Sequence, residues 1–201
     1  MRIIAGRFKG RKLLSPPGLD TRPITSRAKT ALFNILAGAL DSAVVADLFA
    51  GTGSIGLEAL SRGASRCYFA ERDPVSLACL RRNVQALGVA DRCRIWPGDV
   101  LRNLTRRLEE AGELIHLAFV DPPYRLVAAW RWGRVTESLF APLGRGLAGE
   151  GIVVLRCQRN IEVPGTLGPL CVRDRRVYGK MSLVFLSPAS PTAAPQAPGP
   201  P

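Results

Sequence analysis

The chain has 201 residues, 47% hydrophobic and 22% charged, which is about one domain of ordinary globular composition and excludes wholesale disorder or a fibrous repeat. A net charge of +12 points to a polyanionic partner, nucleic acid first, because a basic surface gains affinity by releasing phosphate counterions. Arginine supplies 24 of the 28 basic residues, so coding bias alone would account for part of that charge. No apolar run approaches the roughly 18 residues of a membrane span, and MRIIAGRFKG is charged where a signal peptide has its apolar core, so a cytoplasmic protein is expected.

The N-terminal stretch 1–40 reads as a small basic extension. RIIAGRFKGRKL suggests two short strands around glycine turns, a Pro-Gly break follows at Pro16, Pro17 and Gly18, and a helix is expected from about Ser26 to Ala37. Its basic residues Arg2, Arg7, Lys9, Arg11, Lys12, Arg22, Arg27 and Lys29 stand against one acid, Asp20, a local charge of +7. These eight are the expected RNA-phosphate contacts.

From 41 to 186 strands and helices alternate with a period of about 25 residues, the pattern of a parallel sheet built from βαβ units. Strands are expected at 44–49, 66–71, 92–96, 115–120 and 151–157, with helices over 54–63, 75–88 and 100–112 and a looser one across 127–141. Two further β-rich runs, CVRDRRVYG and KMSLVFLS, bring the sheet to seven strands if a reversed strand closes one edge. The last segment, 187–201, has six prolines and no charge and reads as a disordered tail. The five cysteines are scattered without a C-x-x-C, so buried small hydrophobes are expected rather than disulfides or a metal site. The single histidine, His116, lies in a run that reads as a buried strand and is taken as structural.

DLFAGTGSIG, residues 47–56, runs from the first strand into the first helix, so Gly51, Gly53 and Gly56 sit where a tight turn lets a ligand approach the backbone. Phe49, Ala50 and Thr52 belong to the same loop. Glu71, followed by Arg72, ends the second strand 20 residues after Gly51, where a carboxylate can accept from both ribose hydroxyls of an adenosine. Asp99, followed by Val100, is placed to accept from an adenine amine, although a helix-capping aspartate would look the same. Asp47 favours S-adenosylmethionine over NAD. A carboxylate there faces a cationic sulfonium and amino acid favourably but a pyrophosphate unfavourably.

The most specific element is Asp121-Pro122-Pro123-Tyr124, at the end of the apolar run LAFV. The pattern [DN]-P-P-[FYW] arises by chance in well under about one per cent of chains this long. An Asp carboxylate and a proline-fixed carbonyl can accept the two N–H bonds of an exocyclic amine conjugated with a purine, draw its nitrogen toward tetrahedral geometry and free its lone pair for in-line attack on a methyl group. Tyr124 offers a stacking face for an unstacked base.

DLFAGTGSIGLEALSRGA, YFAERD, FVDPPY, RIIAGRFKGRKL and TRPITSRAKTALFNIL together resemble the bacterial 16S ribosomal RNA guanine-N2 methyltransferases of the RsmD type, over about residues 1–186. The resemblance implies a Rossmann-like α/β methyltransferase fold, metal-free use of S-adenosylmethionine, and methylation of guanine 966 in the RNA of the small ribosomal subunit. It also implies a cofactor site lined by Asp47, Gly51, Gly53, Glu71 and Asp99, with Asp121 to Tyr124 holding the guanine. A monomer is expected, acting on 16S rRNA or a partly assembled subunit. The chain departs from the family pattern at Ile24, Ser26, Lys29 and Thr30, where Thr, Asp, Arg and Glu are common. The competing readings are an adenine-N6 methyltransferase of DNA or RNA, an NAD-linked oxidoreductase, disfavoured by Asp47 and the DPPY run, and a catalytically silent RNA-binding module. With 77 residues after Tyr124, most of them in the sheet, there is no room for a large DNA-reading domain.

Overall fold

The computed structural model describes residues 1–16 and 24–189. Its helices are α1 (Ser26–Ile35), α2 (Ser54–Ser61), α3 (Pro74–Leu87), α4 (Val100–Ala111), α5 (Tyr124–Ala128), α6 (Trp132–Val135) and α7 (Ala141–Arg145), and its strands are β1 (Val44–Leu48), β2 (Arg66–Glu71), β3 (Cys93–Pro97), β4 (Ile115–Val120), β5 (Leu147–Gln158), β6 (Thr166–Leu167), β7 (Leu170–Tyr178) and β8 (Met181–Pro188). The eight strands form one sheet in the order β3-β2-β1-β4-β5-β8-β7-β6. Strands β1 to β5 run parallel to one another, and the pairs β5–β8, β8–β7 and β7–β6 are antiparallel. The order of strands reverses at β1 and β4, with β2 and β3 added on one side and β5 on the other. That switch point opens a crevice at the carboxyl ends of the strands, the place where such sheets bind ligands.

The sequence explains most of this order. All five residues of β1, Val-Val-Ala-Asp-Leu, are buried, as a central parallel strand covered on both faces requires. Helix α3 is delimited by strong local signals: Asp73 caps its start by accepting from the Ser76 N–H at 2.7 Å, Pro74 opens it, and Gly88 ends it at φ +66°. One apolar core holds α1, α2, α3 and the N-terminal extension against one face of the sheet, and a second holds α4 to α7 against the other.

Several expectations are corrected. The sheet has eight strands rather than seven, because the two-residue β6 pairs with the start of β7. The N-terminal strands reduce to an isolated bridge between Arg2 and Lys12. The extension has no core of its own, since Ile3, Phe8, Leu13, Leu32 and Phe33 belong to the same cluster as β1 and α2. Phe33 lies 5.8 Å from the Phe119 ring of β4 and carries the Arg62 guanidinium 4.8 Å over its own. The helix expected across 127–141 is broken into α5, α6, a π-helical turn at Thr136–Phe140 and α7. Strand β8 continues through Ser187 and Pro188, paired with Cys171 and Leu170, two residues into the expected tail. Residues 190–201 lie outside the described residues. Cys67, Cys93 and Cys157 are buried as expected, whereas Cys79 and Cys171 are partly exposed. His116 is exposed rather than buried, and its Nδ1 accepts the Val44 N–H at 3.2 Å, a structural bond at the edge of β1.

Candidate active site

The loop after β1 is held open by its own backbone. Phe49 has φ +65°, unusual for a bulky side chain, and Gly51 and Gly53 have φ +57° and +82°. Glu71, at the end of the neighbouring strand, fixes this loop: Oε2 accepts the Gly51 N–H at 2.7 Å while Oε1 accepts those of Arg72 and Asp73 at 2.8 and 2.7 Å. A carboxylate has lone pairs beyond these three bonds, so Glu71 can still accept from a ligand hydroxyl. From α3, the buried Asn83 side chain donates to the Thr52 carbonyl at 3.0 Å.

The three glycines have different duties. A Cβ on Gly51 would meet nothing within 4 Å, so this residue faces open space. A Cβ on Gly53 would lie 2.4 Å from Leu80 Cδ1, and one on Gly56 would lie 2.4 Å from the Phe69 ring, so both allow close helix packing. Gly53 was expected to touch the cofactor. It is the N-cap of α2 and is not among the residues that line the cavity over the strand ends.

A cavity of about 1200 Å³ lies over the carboxyl ends of β1, β2 and β4. It is lined by Asp47, Phe49, Ala50, Gly51, Thr52, Glu71, Arg72, Asp99 and Val100, together with Asp121, Pro122, Pro123 and Tyr124. Every expected cofactor and catalytic position except Gly53 is therefore brought to one space. Asp99 caps α4, its side chain accepting the Leu101 N–H at 3.0 Å, so its capping and cavity-lining roles coexist.

Asp47 is fully buried, and its Oδ2 accepts the Gly56 N–H at 2.8 Å, tying β1 to the first turn of α2. Burial pushes its carboxyl well above the usual carboxylate range, a shift reinforced by the negative charge of Asp121 and Glu71 and opposed by the Gly56 amide and Lys29. Such a group is stabilised as the anion when a cation arrives. Thr52 is 5% exposed, and its hydroxyl oxygen has no hydrogen-bond partner among the described residues. Thr52 also lines the cavity, so its hydroxyl is within reach of a molecule that enters there.

Asp121 is paired with a residue that the sequence reading missed. The Arg156 guanidinium, from β5, donates to Asp121 Oδ1, and its carbon lies 5.4 Å from the centre of the Tyr124 ring. Desolvation raises the Asp121 carboxyl above its ordinary value, and the Arg156 charge opposes that rise. The signal in the sequence was a lone arginine inside the apolar run IVVLRC. Arg156 also lines the cavity.

Of the basic residues expected to meet RNA, Arg2, Arg7, Lys9, Arg11, Lys12 and Arg27 are exposed. Arg11 donates to the Ala86 carbonyl at 2.7 Å, and the Arg7 guanidinium sits 5.4 Å over the Phe8 ring. Arg22 lies outside the described residues. Lys29 is the correction: it is buried, paired with Glu58 Oε2 at 3.0 Å and bonded to the Ser54 carbonyl at 2.7 Å, so it cannot reach a phosphate. The spacing Ala28, Lys29, Leu32, Phe33 places it on the inward face of α1. The extension's inner side also reaches the cavity, through Met1, Ser15, Pro16 and Ile24. Among the described residues no helix is long and apolar enough to cross a membrane, and no group of His, Cys, Asp and Glu is arranged to hold a metal.

A family profile described as conserved hypothetical protein 95 matches residues 1–187. The candidate rRNA methyltransferase YlbH of Bacillus subtilis is 32% identical over 182 residues, covering 89% of this chain and 94% of that protein. Ribosomal RNA small subunit methyltransferase D of Escherichia coli K12 is 39% identical over 125 residues, 62% of this chain and 61% of that one. Among solved structures, the candidate methyltransferase yhhF from Escherichia coli superimposes with a TM-score of 0.76 at 29% identity, covering 94% of this chain and 97% of its own. With the match running through the extension, the glycine loop and the DPPY run alike, the chain belongs to the conserved hypothetical protein 95 family, together with the RsmD-type methyltransferases it resembles.

Proposed function

We propose that this protein methylates the exocyclic N2 amine of a guanine in 16S rRNA, nucleotide 966 by family resemblance, using S-adenosylmethionine. The observation that carries the reading is the Asp121 carboxylate, oriented by Arg156 and adjoining Pro122, Pro123 and Tyr124, in the same cavity as the glycine loop and Glu71. The names of the relatives support ribosomal RNA as the substrate class, and the small subunit in particular.

The residues present fit the cofactor. The unpaired Thr52 hydroxyl and the open side of Gly51 leave room and a polar partner at the loop. Glu71 is at the strand end suited to a ribose, and Asp47, with its suppressed ionisation, suits the cationic amino-acid end. When bound, S-adenosylmethionine supplies a methyl group on a sulfonium. The protein's own work is orientation. Asp121 and a proline-fixed carbonyl accept the two N–H bonds of the guanine amine, which withdraws its lone pair from the ring and directs it at the methyl. Arg156 holds Asp121 in one orientation and favours its ionised, hydrogen-bond-accepting form. Tyr124 stacks on the extruded base, and the walls from the extension exclude water. The methylated amine is acidic enough to lose its proton to water, so Asp121 need not be a strong base.

The test is incubation with labelled S-adenosylmethionine and, separately, immature small-subunit particles, naked 16S rRNA and duplex DNA, followed by nuclease digestion and mass spectrometry. N2-methylguanosine in the ribosomal RNA is expected. Label only in DNA, or only as N6-methyladenosine, would sink the proposal, and no label in any substrate would favour the silent RNA-binding reading.

A further inference from the structure

Next to the large cavity is a second depression of about 400 Å³, bounded by Tyr124, Gln158, Arg159, Asn160, Gly179 and Lys180. Tyr124, Gln158 and Lys180 line both, so the two spaces meet along a shared wall. We propose that this depression is a subsite for the nucleotide flanking the methylated guanine: its base edge on the amides of Gln158 and Asn160, its phosphate between Arg159 and Lys180, with Tyr124 as the wall shared with the target-base pocket. The inference rests on the proposed RNA methylation and names where the substrate strand goes once the target base is in its pocket.

The site is built rather than incidental. Residues 158–161 form a turn at the end of β5, closed by the Ile161 N–H donating to the Gln158 carbonyl at 3.1 Å. The Arg159 N–H donates to the Lys180 carbonyl at 2.9 Å, joining this turn to the hairpin turn between β7 and β8. The Arg175 guanidinium, from β7, donates to the carbonyls of Arg159 and Ile161 at 2.7 and 3.0 Å. The backbone is thereby fixed from three sides while the side chains of Gln158, Arg159, Asn160 and Lys180 have no hydrogen-bond or ion-pair partner among the described residues. Gly179 has φ +62°, and a Cβ there would meet nothing within 4 Å, so the hairpin leaves its side of the depression open.

The chemistry of the lining suits one class of ligand. Two cations and no carboxylate border the space, which favours an anion. Two primary amides supply donors and acceptors for a base edge. Tyr124, with the Arg156 guanidinium 5.4 Å from its ring centre, lines both spaces and so adjoins the target-base pocket to this depression. An enzyme that extrudes a base must also hold the adjoining sugar-phosphate, and contacts to the nucleotides on either side are where sequence context is read.

The test compares the full-length wild-type chain with Arg159→Glu/Lys180→Glu and with Asn160→Ala, using labelled S-adenosylmethionine and the small-subunit RNA substrate. In the charge-reversed variant the KM for RNA should rise about tenfold or more, with kcat within about twofold and binding of S-adenosylhomocysteine unchanged. Asn160→Ala, which alters neither charge nor a fold contact, should raise the same KM severalfold. RNA carrying 4-thiouridine beside the target guanine should crosslink to a peptide containing residues 158–160 or 179–180. Unchanged KM in both variants, or crosslinks confined to the N-terminal extension, would overturn the subsite while leaving the methyltransferase reading intact. If wild-type protein methylates no ribosomal RNA, the underlying reading fails and the subsite with it.

Discussion

Lys29 of α1 and Glu58 of α2 form an ion pair at 3.0 Å with side-chain exposures of 4% and 0%, and this pair fastens the N-terminal extension to the helix that leaves the glycine loop. Glu58 also accepts the backbone N–H groups of Ile4 and Ala5 at 2.8 and 3.0 Å and the Arg62 Nε–H at 2.8 Å. Both of its oxygens are fully used. The basic extension is therefore attached to the domain by charge as well as by the burial of Ile3, Phe8 and Leu13.

Lys29→Met should destabilise the fold by up to roughly 3 kcal/mol, because it removes one of the two cations paired with the buried Glu58 carboxylate and leaves Arg62 alone to balance it. Burial alone would raise the Glu58 carboxyl, but Lys29, the Ile4 amide and Arg62 outweigh it and hold it below the ordinary value of 4.5. A group depressed in the folded state contributes stability above its unfolded pKa and loses it as pH falls through the folded value. Urea unfolding of wild type should thus show this contribution in full above about pH 5 and a decline below 4.5, and Lys29→Met should show much less of that acid-side slope. Equal acid slopes in the two proteins would contradict the assignment.

Arg156→Met should separate binding from turnover. S-adenosylhomocysteine should still bind in calorimetry, while kcat falls by about tenfold to a hundredfold as Asp121 loses its orienting partner. The Asp121 carboxyl is already raised by desolvation, with Arg156 opposing. Removing that opposition raises it further, so the acid limb of the pH profile should move to higher pH. Asp121→Ala should keep cofactor binding and abolish the limb. An acid limb at the same pH in wild type and Arg156→Met would mean that Asp121 is not the group being titrated.

Thr52→Val should cost little folding stability, because the hydroxyl it removes has no partner among the described residues, yet weaken S-adenosylhomocysteine binding by roughly 1 to 3 kcal/mol. Gly53→Ala should behave in the opposite way, destabilising the fold through φ +82° and the clash with Leu80. Thermal melts with and without ligand distinguish the two. A Thr52→Val protein with unaltered affinity would place the cofactor away from this loop.

Replacing Arg2, Arg7, Lys9 and Lys12 with alanine should flatten the salt dependence of RNA binding by up to about 3 in log–log slope, at about 0.7 per phosphate released in single-stranded regions. All four side chains are exposed. Lys29 should contribute nothing to that slope. Filter binding over a salt series measures it, and an unchanged slope would place the phosphate contacts on other arginines.

The parallel core and the place of the candidate site were legible in the amino-acid order alone. Near-continuous apolar runs such as VVADLF and IHLAFV set the strands, the glycine loop and Glu71 marked the first two strand ends, and DPPY marked the fourth, because these signals are local and depend on periodicity and turn chemistry. What stayed hidden depends on partners far apart in the chain. Helical spacing puts Lys29 on the apolar stripe of α1 and Arg27 off it, but nothing local supplies the partner, Glu58, 29 positions away, that lets a lysine be buried there. Nor does local sequence pair Asp121 with Arg156, 35 residues distant, or separate Gly51, which faces a cavity, from Gly53, which faces Leu80. The two-residue β6 is too short to carry a period at all. Tertiary structure decided these points because the free energy of a charge or a missing Cβ is set by what the fold places against it.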